Sequence, residues 1–371
     1  MDQIIGQQNA ISVLQSAYDH HKLHHAYIFH GARGVGKFTT AIAFSQLLLC
    51  QNVQQDLTGR HHACQACGSC QRFGSLQALE DGSHPHPDIH IINKELALIS
   101  SNATLRNRKL MNIPVDLIRE HLVGGQSSDG RFHQSAAYKK PTAGQAKVFI
   151  IDDAHLLDAS GQNALLKTLE EPPTDTFLIL ITPQEDRLLA TIKSRCQRVG
   201  FSAISDQAIL DYFQQHCPDI DQKQLDWSRR FAQGSLGQAW LINQYDLYQW
   251  AKTILPAIIQ MTRSQFPYQL GGQMAELVDG FAKNWVANHK NASKDAANKM
   301  GADLVWSIIS LFARERLMAD ASGGEPAIEP WLSLIDAVEQ GHKAISSSVN
   351  MTLAMDHFVN LTYQGLDPQR V

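Results

Sequence analysis

The chain has 371 residues, enough for two or three domains with a sizeable core. Hydrophobic residues make up 44% and charged residues 18%, and no apolar run reaches the roughly 18 residues of a membrane span, so we expect a soluble globular protein. No secretory signal is evident, and the net charge of −4 argues against an autonomous nucleic-acid-binding protein.

Short apolar segments alternate with helical patterns over about the first 200 residues. The predicted strands are 26–29, 89–92, 148–151 and 177–181, and the helices between them include 39–50 and 162–169. This alternation predicts an α/β fold with a parallel sheet covered by helices on both faces. Residues 123–146, rich in Gly, Ser and Lys, are predicted to be an exposed loop, and 94–112 a second loose insertion. From about residue 203 onward the pattern is helical.

A degenerate phosphate-binding loop follows the first predicted strand. Residues 31–38 resemble the pattern G-x-x-x-x-G-K-[S/T], in which loop amides surround phosphates, the lysine reaches the outer phosphates and the last hydroxyl holds Mg²⁺. The candidate nucleotide-binding residues are Gly31, Gly34, Gly36 and Lys37. Phe38 replaces the hydroxyl, and Thr39 is a poor substitute because one helical residue is a rotation of about 100°. We expect no Mg²⁺, whereas binding of ATP or ADP stays open because a helix N-terminus favours anions.

Four cysteines are grouped between residues 50 and 70. The spacing C-x13-C-x2-C-x2-C is formed by Cys50, Cys64, Cys67 and Cys70. The short spacings allow a local knuckle to wrap one ion, and the first cysteine attaches that knuckle to the helix after the phosphate loop. Four thiolates in a tetrahedral shell suit a structural Zn²⁺ with no open position for catalysis. Free or disulfide-paired thiols are the alternative, and His61 or His62 could replace one thiolate.

The third predicted strand ends in two carboxylates, Asp152 and Asp153. In ATPases with a phosphate-binding loop, the first acid at this strand tip organises Mg²⁺ and the next polarises water. Asp153 is one methylene shorter than the usual glutamate, and a displacement of about 1 Å can cost on the order of 100-fold in rate. The alternative is an ordinary strand end followed by an N-capping aspartate. Thr182, after the fourth strand, is a candidate γ-phosphate sensor, although Thr-Pro is also a common turn.

Several polar segments have no assigned role. Two His-rich segments are formed by His20, His21, His24 and His25 and by His84, His86 and His90. We expect most of these histidines at the surface. Arg106, Arg108 and Lys109 are basic candidates for contact with DNA phosphates, although most such clusters are solvated surface.

Several motifs of the chain occur together in one known family. The densest is Asn-Ala-Leu-Leu-Lys-Thr-Leu-Glu-Glu-Pro-Pro at 163–173, followed by Ser194-Arg195-Cys196. With the Ile-Ile-Gly-Gln start at 4–7 and the zinc cysteines, they resemble the bacterial clamp-loader AAA+ family. The resemblance is specific over residues 1–200 and thin beyond 250. It implies an AAA+ domain at 1–200 with a zinc module at 50–70, a small helical lid at 201–250 and an all-α collar domain at 251–371.

Three departures from the family pattern point to its δ′-type subunits. Phe38 removes the magnesium hydroxyl, and Asp153 replaces the usual glutamate. Gly237 stands where hydrolysing subunits carry a phosphate-sensing arginine in a Gly-Ser-x-Arg pattern. The resemblance therefore implies a δ′-like subunit of the DNA polymerase III clamp loader with no ATPase activity of its own.

The Ser194-Arg195-Cys196 motif is intact. In the family this arginine is presented to the ATP of a neighbouring subunit, where it stabilises charge on the transferring phosphoryl group and can be worth roughly 10³–10⁵ in rate. The resemblance implies that Arg195 is catalytic in trans. The ordinary alternative is an arginine that binds carbonyls at a helix end. Cys196 is interpreted as a small buried residue.

The resemblance also implies partners and leaves two other functions open. It places the chain in a cytoplasmic heteropentamer with motor subunits and a clamp-opening subunit. This complex loads a sliding clamp onto primer-template DNA, and no membrane takes part. There the chain would be a rigid stator. The first alternative is an active ATPase subunit of the same complex, with Thr39 binding the metal through a shifted loop. The second is a zinc-stabilised nucleic-acid-binding module.

Overall fold

The computed structural model describes residues 4–73, 84–106, 112–288, 293–321, 328–346 and 350–366, so Arg108 and Lys109 lie outside the described residues. Internal contacts group the chain into two compact units. One comprises Met1–Asp211 with Gly234–Gly237, and the other comprises Tyr212–Gln233 with Gln238–Val371. No helix in the described part of the chain combines the length and apolar character that crossing a membrane requires.

A five-stranded parallel sheet is the centre of the first unit. Its strands are β1 (Ala26–His30), β2 (Ile89–Ile92), β3 (Lys147–Ile151), β4 (Thr176–Thr182) and β5 (Gln197–Gly200). They lie in the order β2-β3-β4-β1-β5, and every neighbouring pair is parallel. The predicted α/β class is therefore confirmed. The sequence analysis missed β5, because only Val199 of this edge strand is buried and the apolar signal is weak.

Apolar side chains cover both faces of the sheet. Ile28 and Phe149 belong to the core on one face, whereas Phe29 and Ile150 belong to the core on the other. Since side chains alternate along a strand, a strand buried on both faces is apolar at most positions. This requirement explains why β1, β3 and β4 were recognisable in the sequence as continuous apolar runs.

Helices and two small hairpins complete the first unit. The longer helices are α1 (Gln8–Asp19), α2 (Lys37–Leu49) and α3 (Ala159–Glu170), and the shorter ones are Gly68–Gln71, Ala103–Arg106, Val115–Ile118 and Ala190–Lys193. The Asp158 carboxylate caps α3 by accepting the Gly161 N–H at 2.6 Å. The hairpins pair Gln54–Gln55 with His61–His62, and Gly125–Gln126 with Phe132–His133. Turns of 3₁₀ helix at Lys94–Ile99, Ala154–Leu156 and Glu185–Arg187, and a π-helical turn at Arg119–Val123, complete the connections.

The remaining chain is helical, as predicted. Its helices are α4 (Asp206–His216), α5 (Gln222–Ala232), α6 (Leu236–Tyr245), α7 (Leu247–Met261), α8 (Leu270–Asn288), α9 (Lys294–Ala321), α10 (Glu329–Ser346) and α11 (Met351–Leu366). In the second unit α8 packs against α9 and α11, and α10 packs against the same two helices. The Trp306 ring of α9 contacts the Phe358 ring of α11 with centroids 4.9 Å apart. The all-α character of the C-terminal part is confirmed.

The expected surface position is wrong for the second His-rich segment. His84 is 8% exposed and His86 is fully buried, while the half-buried His90 stacks on Phe149 at 4.6 Å between centroids. The His86 Nε2 atom lies 2.9 Å from Ser69 Oγ, so this imidazole links the approach to β2 with the cysteine-rich segment. Burial lowers the pKa of His84 and of His90 to about 4, and both are neutral at pH 7. A neutral imidazole can be buried where neighbouring side chains bond to it or stack on it, and the sequence does not reveal those neighbours.

Asp88 attaches the end of the long insertion to the sheet. Its buried carboxylate accepts the backbone N–H groups of Thr142, Ala143 and Gly144 at 2.6, 2.7 and 2.7 Å. Burial opposes the charge, but these N–H groups lower the pKa of Asp88 below its ordinary value. The segment predicted to be a loop is therefore anchored where it enters β3.

Candidate functional site

The candidate nucleotide-binding residues meet at the carboxyl edge of the sheet. Residues 31–37 follow β1, Asp152 and Asp153 follow β3, and Thr182 ends β4. His30 pairs in register with Thr182, and Ile151 with Leu180, which brings these strand ends side by side. Ligands of parallel α/β sheets bind outside the carboxyl ends of strands. The structure thus gathers at one edge Gly31, Gly34, Gly36, Lys37, Asp152, Asp153 and Thr182.

The Lys37 ammonium is bound by its own loop. Its side chain is largely buried, and Nζ donates to the Gly31 carbonyl oxygen at 2.7 Å and to the Ala32 carbonyl oxygen. Burial lowers the pKa of Lys37 to about 8, against the opposing effect of the charges on Asp152 and Asp153. The Lys37 N–H groups that would bind the outer phosphates of a nucleotide therefore donate to carbonyl oxygens of the loop.

A distant glycine segment packs directly on the phosphate loop. The Gly237 N–H donates to the Gly34 carbonyl oxygen at 2.9 Å. A Cβ atom on Gly237 would lie 2.8 Å from the Gly34 Cα, and a Cβ atom on Gly34 would lie 2.3 Å from Ser235 Oγ. Real Cβ atoms do not approach this closely, so an arginine at position 237 requires the two segments to separate. Glycine here permits a close contact as well as removing a charge.

The two aspartates differ in environment. Burial, followed by the charge of Asp153, raises the pKa of Asp152 to about 7. Asp153 has a left-handed backbone with φ of 52°, and its Oδ1 lies 3.9 Å from an Arg33 guanidinium nitrogen and 3.8 Å from His155 Nδ1. The partners that face Asp153 are therefore basic side chains of the chain itself.

The remaining loop positions are used internally. Phe38 packs against the core on the α2 side of the sheet. The buried Thr182 hydroxyl accepts the Gln184 N–H at 2.9 Å, which forms a local turn. The side-chain amide of Gln7, from the motif at residues 4–7, donates to the Val35 carbonyl oxygen at 3.0 Å and so stabilises the phosphate loop.

We expect Asp152→Asn to stabilise the chain. Burial raises the pKa of Asp152 to about 7 in the folded state, and an unfolded aspartate has a pKa of about 3.9. Ionisation therefore opposes folding increasingly as the pH rises from about 4 to 7. Asparagine lacks this cost but loses the attraction to Lys37. The free energy of unfolding should rise by on the order of 2 kcal/mol at pH 8 and by little at pH 4.

Denaturant unfolding at the two pH values measures the Asp152→Asn difference. Asp186→Asn, at an exposed carboxylate, is the matched control and should change stability little at either pH. A variant that is less stable than the wild type at pH 8 would contradict the assignment of a buried, destabilised charge.

Arg195 lies at the other end of the strands. It precedes β5, whose Gln197 pairs with Tyr27 near the start of β1, whereas the phosphate loop follows the end of β1. At about 3.3 Å per residue, the length of β1 separates these two edges by roughly 15 Å. The chain's own phosphate loop is therefore out of reach of Arg195.

The surroundings of Arg195 combine a fixed backbone with an accessible side chain. The Arg195 N–H donates to the Ile192 carbonyl oxygen at 3.0 Å, and Cys196 packs against the core. Cys196 was predicted to be a small buried residue; it is partly buried, and this burial raises the pKa of its thiol to about 12. The Ser194 hydroxyl donates to the Thr191 carbonyl oxygen at 3.1 Å, and the Arg195 side chain remains 35% exposed.

The four predicted cysteines form one cluster. The Sγ atoms of Cys50, Cys64, Cys67 and Cys70 all lie within 4.8 Å of one another. A tetrahedral shell with Zn–S bonds of about 2.3 Å places sulfur atoms roughly 3.8 Å apart, so the cluster fits such an ion after small adjustments. His61 binds elsewhere, with Nδ1 2.7 Å from Asp19 Oδ1, and His62 is exposed. These two histidines are therefore outside the ligand set.

Backbone N–H groups point at the cysteine sulfurs. The N–H groups of Cys64, Cys67 and Cys70 donate to sulfurs at 3.3, 3.2 and 3.4 Å. Backbone N–H groups of Ala66 and Cys67 lower the pKa of Cys64. Burial opposes ionisation of Cys67, but backbone N–H groups of Cys70 and Gln51 lower its pKa to about 6. The N–H groups therefore favour thiolates at Cys64 and Cys67, the form that binds metal, whereas burial raises the pKa of Cys50 and of Cys70.

Sequence reasoning missed three contributors to these sites. Asp88 and His86 gave only the signal of polar residues before an apolar strand, and their burial depends on distant partners. Glu170 lies in the recognised motif at 163–173, but no role was assigned to its side chain. In the structure it contacts Arg195.

The comparisons with known proteins bear on this geometry. The family described as DNA polymerase III, delta subunit, matches residues 6–205. This range is more than half of the chain and contains the phosphate loop, the cysteine cluster and Arg195. The chain belongs to this family. The family resemblance predicted from the motifs is thereby confirmed.

Two relatives found by sequence agree with that membership. The DNA polymerase III subunit delta' of Escherichia coli is 30% identical over 69% of this chain and 66% of its own length. The DNA polymerase III subunit tau of Bacillus subtilis is 31% identical over 56% of this chain and 30% of its own length. The chain thus spans less than two thirds of either relative. A gamma subunit-related protein of Thermotoga maritima aligns over 96% of this chain and 99% of its own, with 13% identity and a TM-score of 0.45.

Proposed function

We propose that this chain is a δ′-like subunit of a bacterial DNA polymerase III clamp loader. It does not hydrolyse ATP, and it supplies Arg195 to the ATP site of a neighbouring subunit. The observation that carries this proposal is the position of Arg195 at the edge of the sheet opposite the chain's own phosphate loop. A partly exposed guanidinium on a fixed backbone, remote from its own nucleotide site, suits catalysis in trans.

The state of the chain's own loop supports the absence of hydrolysis. Phe38 provides no oxygen for Mg²⁺ and packs on the core instead. The Lys37 ammonium is bound to carbonyls of the loop, and Gly237 closes on Gly34. Hydrolysis depends on Mg²⁺ and a lysine around the β- and γ-phosphates, and Phe38 removes the loop hydroxyl that would hold the Mg²⁺.

Family membership over residues 6–205, together with the motif resemblance, supports the remaining parts of the proposal. The AAA+ domain spans 1–200, the helical lid 201–250 and the collar 251–371, and the collar joins a heteropentamer of motor subunits and a clamp-opening subunit. That assembly places a sliding clamp on primer-template DNA in the bacterial cytoplasm, with this chain as the stator. The four cysteines hold a structural Zn²⁺, which stabilises the segment between α2 and β2 and takes no part in the reaction.

An active ATPase subunit of the same complex is the second candidate. The similarity to a tau subunit is as high as that to a delta' subunit, which favours this candidate. It requires Thr39, in the first turn of α2, to bind the metal through a rearranged loop.

Nucleotide turnover by the isolated chain separates the two candidates. We expect phosphate release from ATP with Mg²⁺ to stay at the background of a Lys37→Ala variant, which controls for contaminating ATPases. A burst or steady release by the wild type that disappears in Lys37→Ala would identify an active subunit and contradict the proposal.

A further inference from the structure

The Arg195 guanidinium is already engaged within its own chain. One terminal nitrogen lies 2.7 Å from Glu170 Oε1, and the other donates to the Thr191 carbonyl oxygen at 3.0 Å. Glu170 is the last residue of α3, at the same amino edge of the sheet as Arg195. Both terminal nitrogens of the guanidinium therefore have partners within the isolated chain, and one of these partners is a carboxylate.

We propose that Glu170 holds the Arg195 side chain before assembly and gives it up to the γ-phosphate of the neighbouring subunit. Glu170 is then a positioning residue, because it acts on the phosphate only through Arg195. This inference rests on the proposed function of Arg195 in trans. It adds that the arginine is exchanged between two anions, one in its own chain and one in the neighbour.

The exposure of the pair makes the exchange feasible. The Arg195 and Glu170 side chains are 35% and 50% exposed, and ion pairs in contact with water are weak. A triphosphate carries more charge than one carboxylate and presents several oxygens to the planar guanidinium. Phosphate should therefore displace Glu170 once the neighbouring site is within reach.

The exchange needs no movement of the main chain. The Arg195 N–H is bound to the Ile192 carbonyl oxygen, and Cys196 packs against the core. Glu170 is at the end of its helix, where a long side chain can turn into solvent. A rotation of two side chains is sufficient to change partners.

The motif offers a matched control in the next residue. Glu171 has the same charge and is also exposed. Its N–H donates to the Lys167 carbonyl oxygen and its carbonyl oxygen accepts the Tyr138 hydroxyl at 3.3 Å, while its carboxylate has no ion-pair partner among the described residues. Glu171→Gln therefore changes the net charge of this surface as much as Glu170→Gln does, without removing the carboxylate that faces Arg195.

The first experiment tests the ion pair in the isolated chain. Phenylglyoxal bonds to nitrogens of the arginine guanidinium, and the Glu170 carboxylate pairs with one terminal nitrogen of Arg195. We expect Glu170→Gln to accelerate modification of Arg195 by about two- to five-fold, as measured by mass spectrometry of the peptide, while Glu171→Gln leaves the rate unchanged. Equal rates in all the proteins would overturn the inference irrespective of the function of the complex.

The second experiment tests the exchange in the reconstituted complex. Freeing Arg195 removes a cost that is the same for bound ATP and for the transition state, so KM should fall by about two- to five-fold and kcat should not change. Glu171→Gln should retain the wild-type KM. An unchanged KM in Glu170→Gln, with Arg195→Ala strongly impaired, would overturn the exchange and leave the proposed function intact. An Arg195→Ala complex with the wild-type rate would refute the proposed function and the exchange together.

Discussion

Arg195→Ala should lower ATP turnover at the neighbouring site by roughly 10³-fold or more in the assembled clamp loader. The guanidinium stabilises charge that develops on the transferring phosphoryl group, and alanine leaves that charge without a partner. Only the site that faces this subunit is affected. The clamp-stimulated rate of the whole complex therefore falls by the fraction of total ATP turnover that this site contributes. Single-turnover phosphate release from the reconstituted complex measures the loss.

Folding and assembly should survive the Arg195→Ala change. The side chain is partly exposed, and its ion pair with Glu170 is of the kind worth at most about 1 kcal/mol. Arg198→Ala is the matched control, because Arg198 is an exposed arginine on the following strand β5 and its guanidinium pairs with Glu185 at 3.2 Å. A normal rate in an Arg195→Ala complex of correct composition would assign this arginine a structural role only.

Removal of the metal should unfold the cysteine-rich segment before the rest of the chain. We expect about one zinc ion per chain, and its chelation leaves thiolates of Cys64 and Cys67 close together without a cation between them. The melting temperature should fall by roughly 5 °C or more. Hydrogen exchange should rise first over residues 50–70, and also at His86, whose ring bonds to Ser69 of that segment.

A cysteine outside the cluster controls for the chemistry of thiols. Cys67→Ser should reproduce the effect of the chelator and bind less zinc, whereas Cys217→Ser should do neither, since Cys217 lies in the second unit. Identical melting with and without the chelator, or a purified chain that contains no metal, would exclude a structural zinc site. ATP turnover by the assembled complex should depend on the metal only as far as folding does.

Some candidate residues belong to short sequence motifs, whereas others are identified only by contacts with distant parts of the chain. The phosphate loop and the cysteines are recognisable because their chemistry requires fixed spacings along the chain. The contact of Gly237 with Gly34 joins segments about two hundred residues apart, and the sequence showed only that an arginine was missing there. Glu170 was quoted within a motif, but its partner Arg195 lies beyond β4 and a further helical turn.

Burial was the property that sequence reasoning judged least well. His84 and His86 were expected at the surface and are buried, since the second ring bonds to Ser69 and both pack near Phe73. Strand β5 was not predicted because an edge strand buries few side chains and needs no apolar run. Both errors concern residues whose environment is created by other parts of the chain.

By itself, the sequence determined the α/β class of the first unit, the helical remainder and the grouping of the loop and cysteine motifs, because alternation, periodicity and spacing are local. Only the tertiary structure decided that the Lys37 ammonium is bound by its own loop and that Arg195 stands at the opposite edge of the sheet, paired with Glu170. The order and direction of the strands set these positions, and both depend on long-range packing of side chains on the two faces of the sheet.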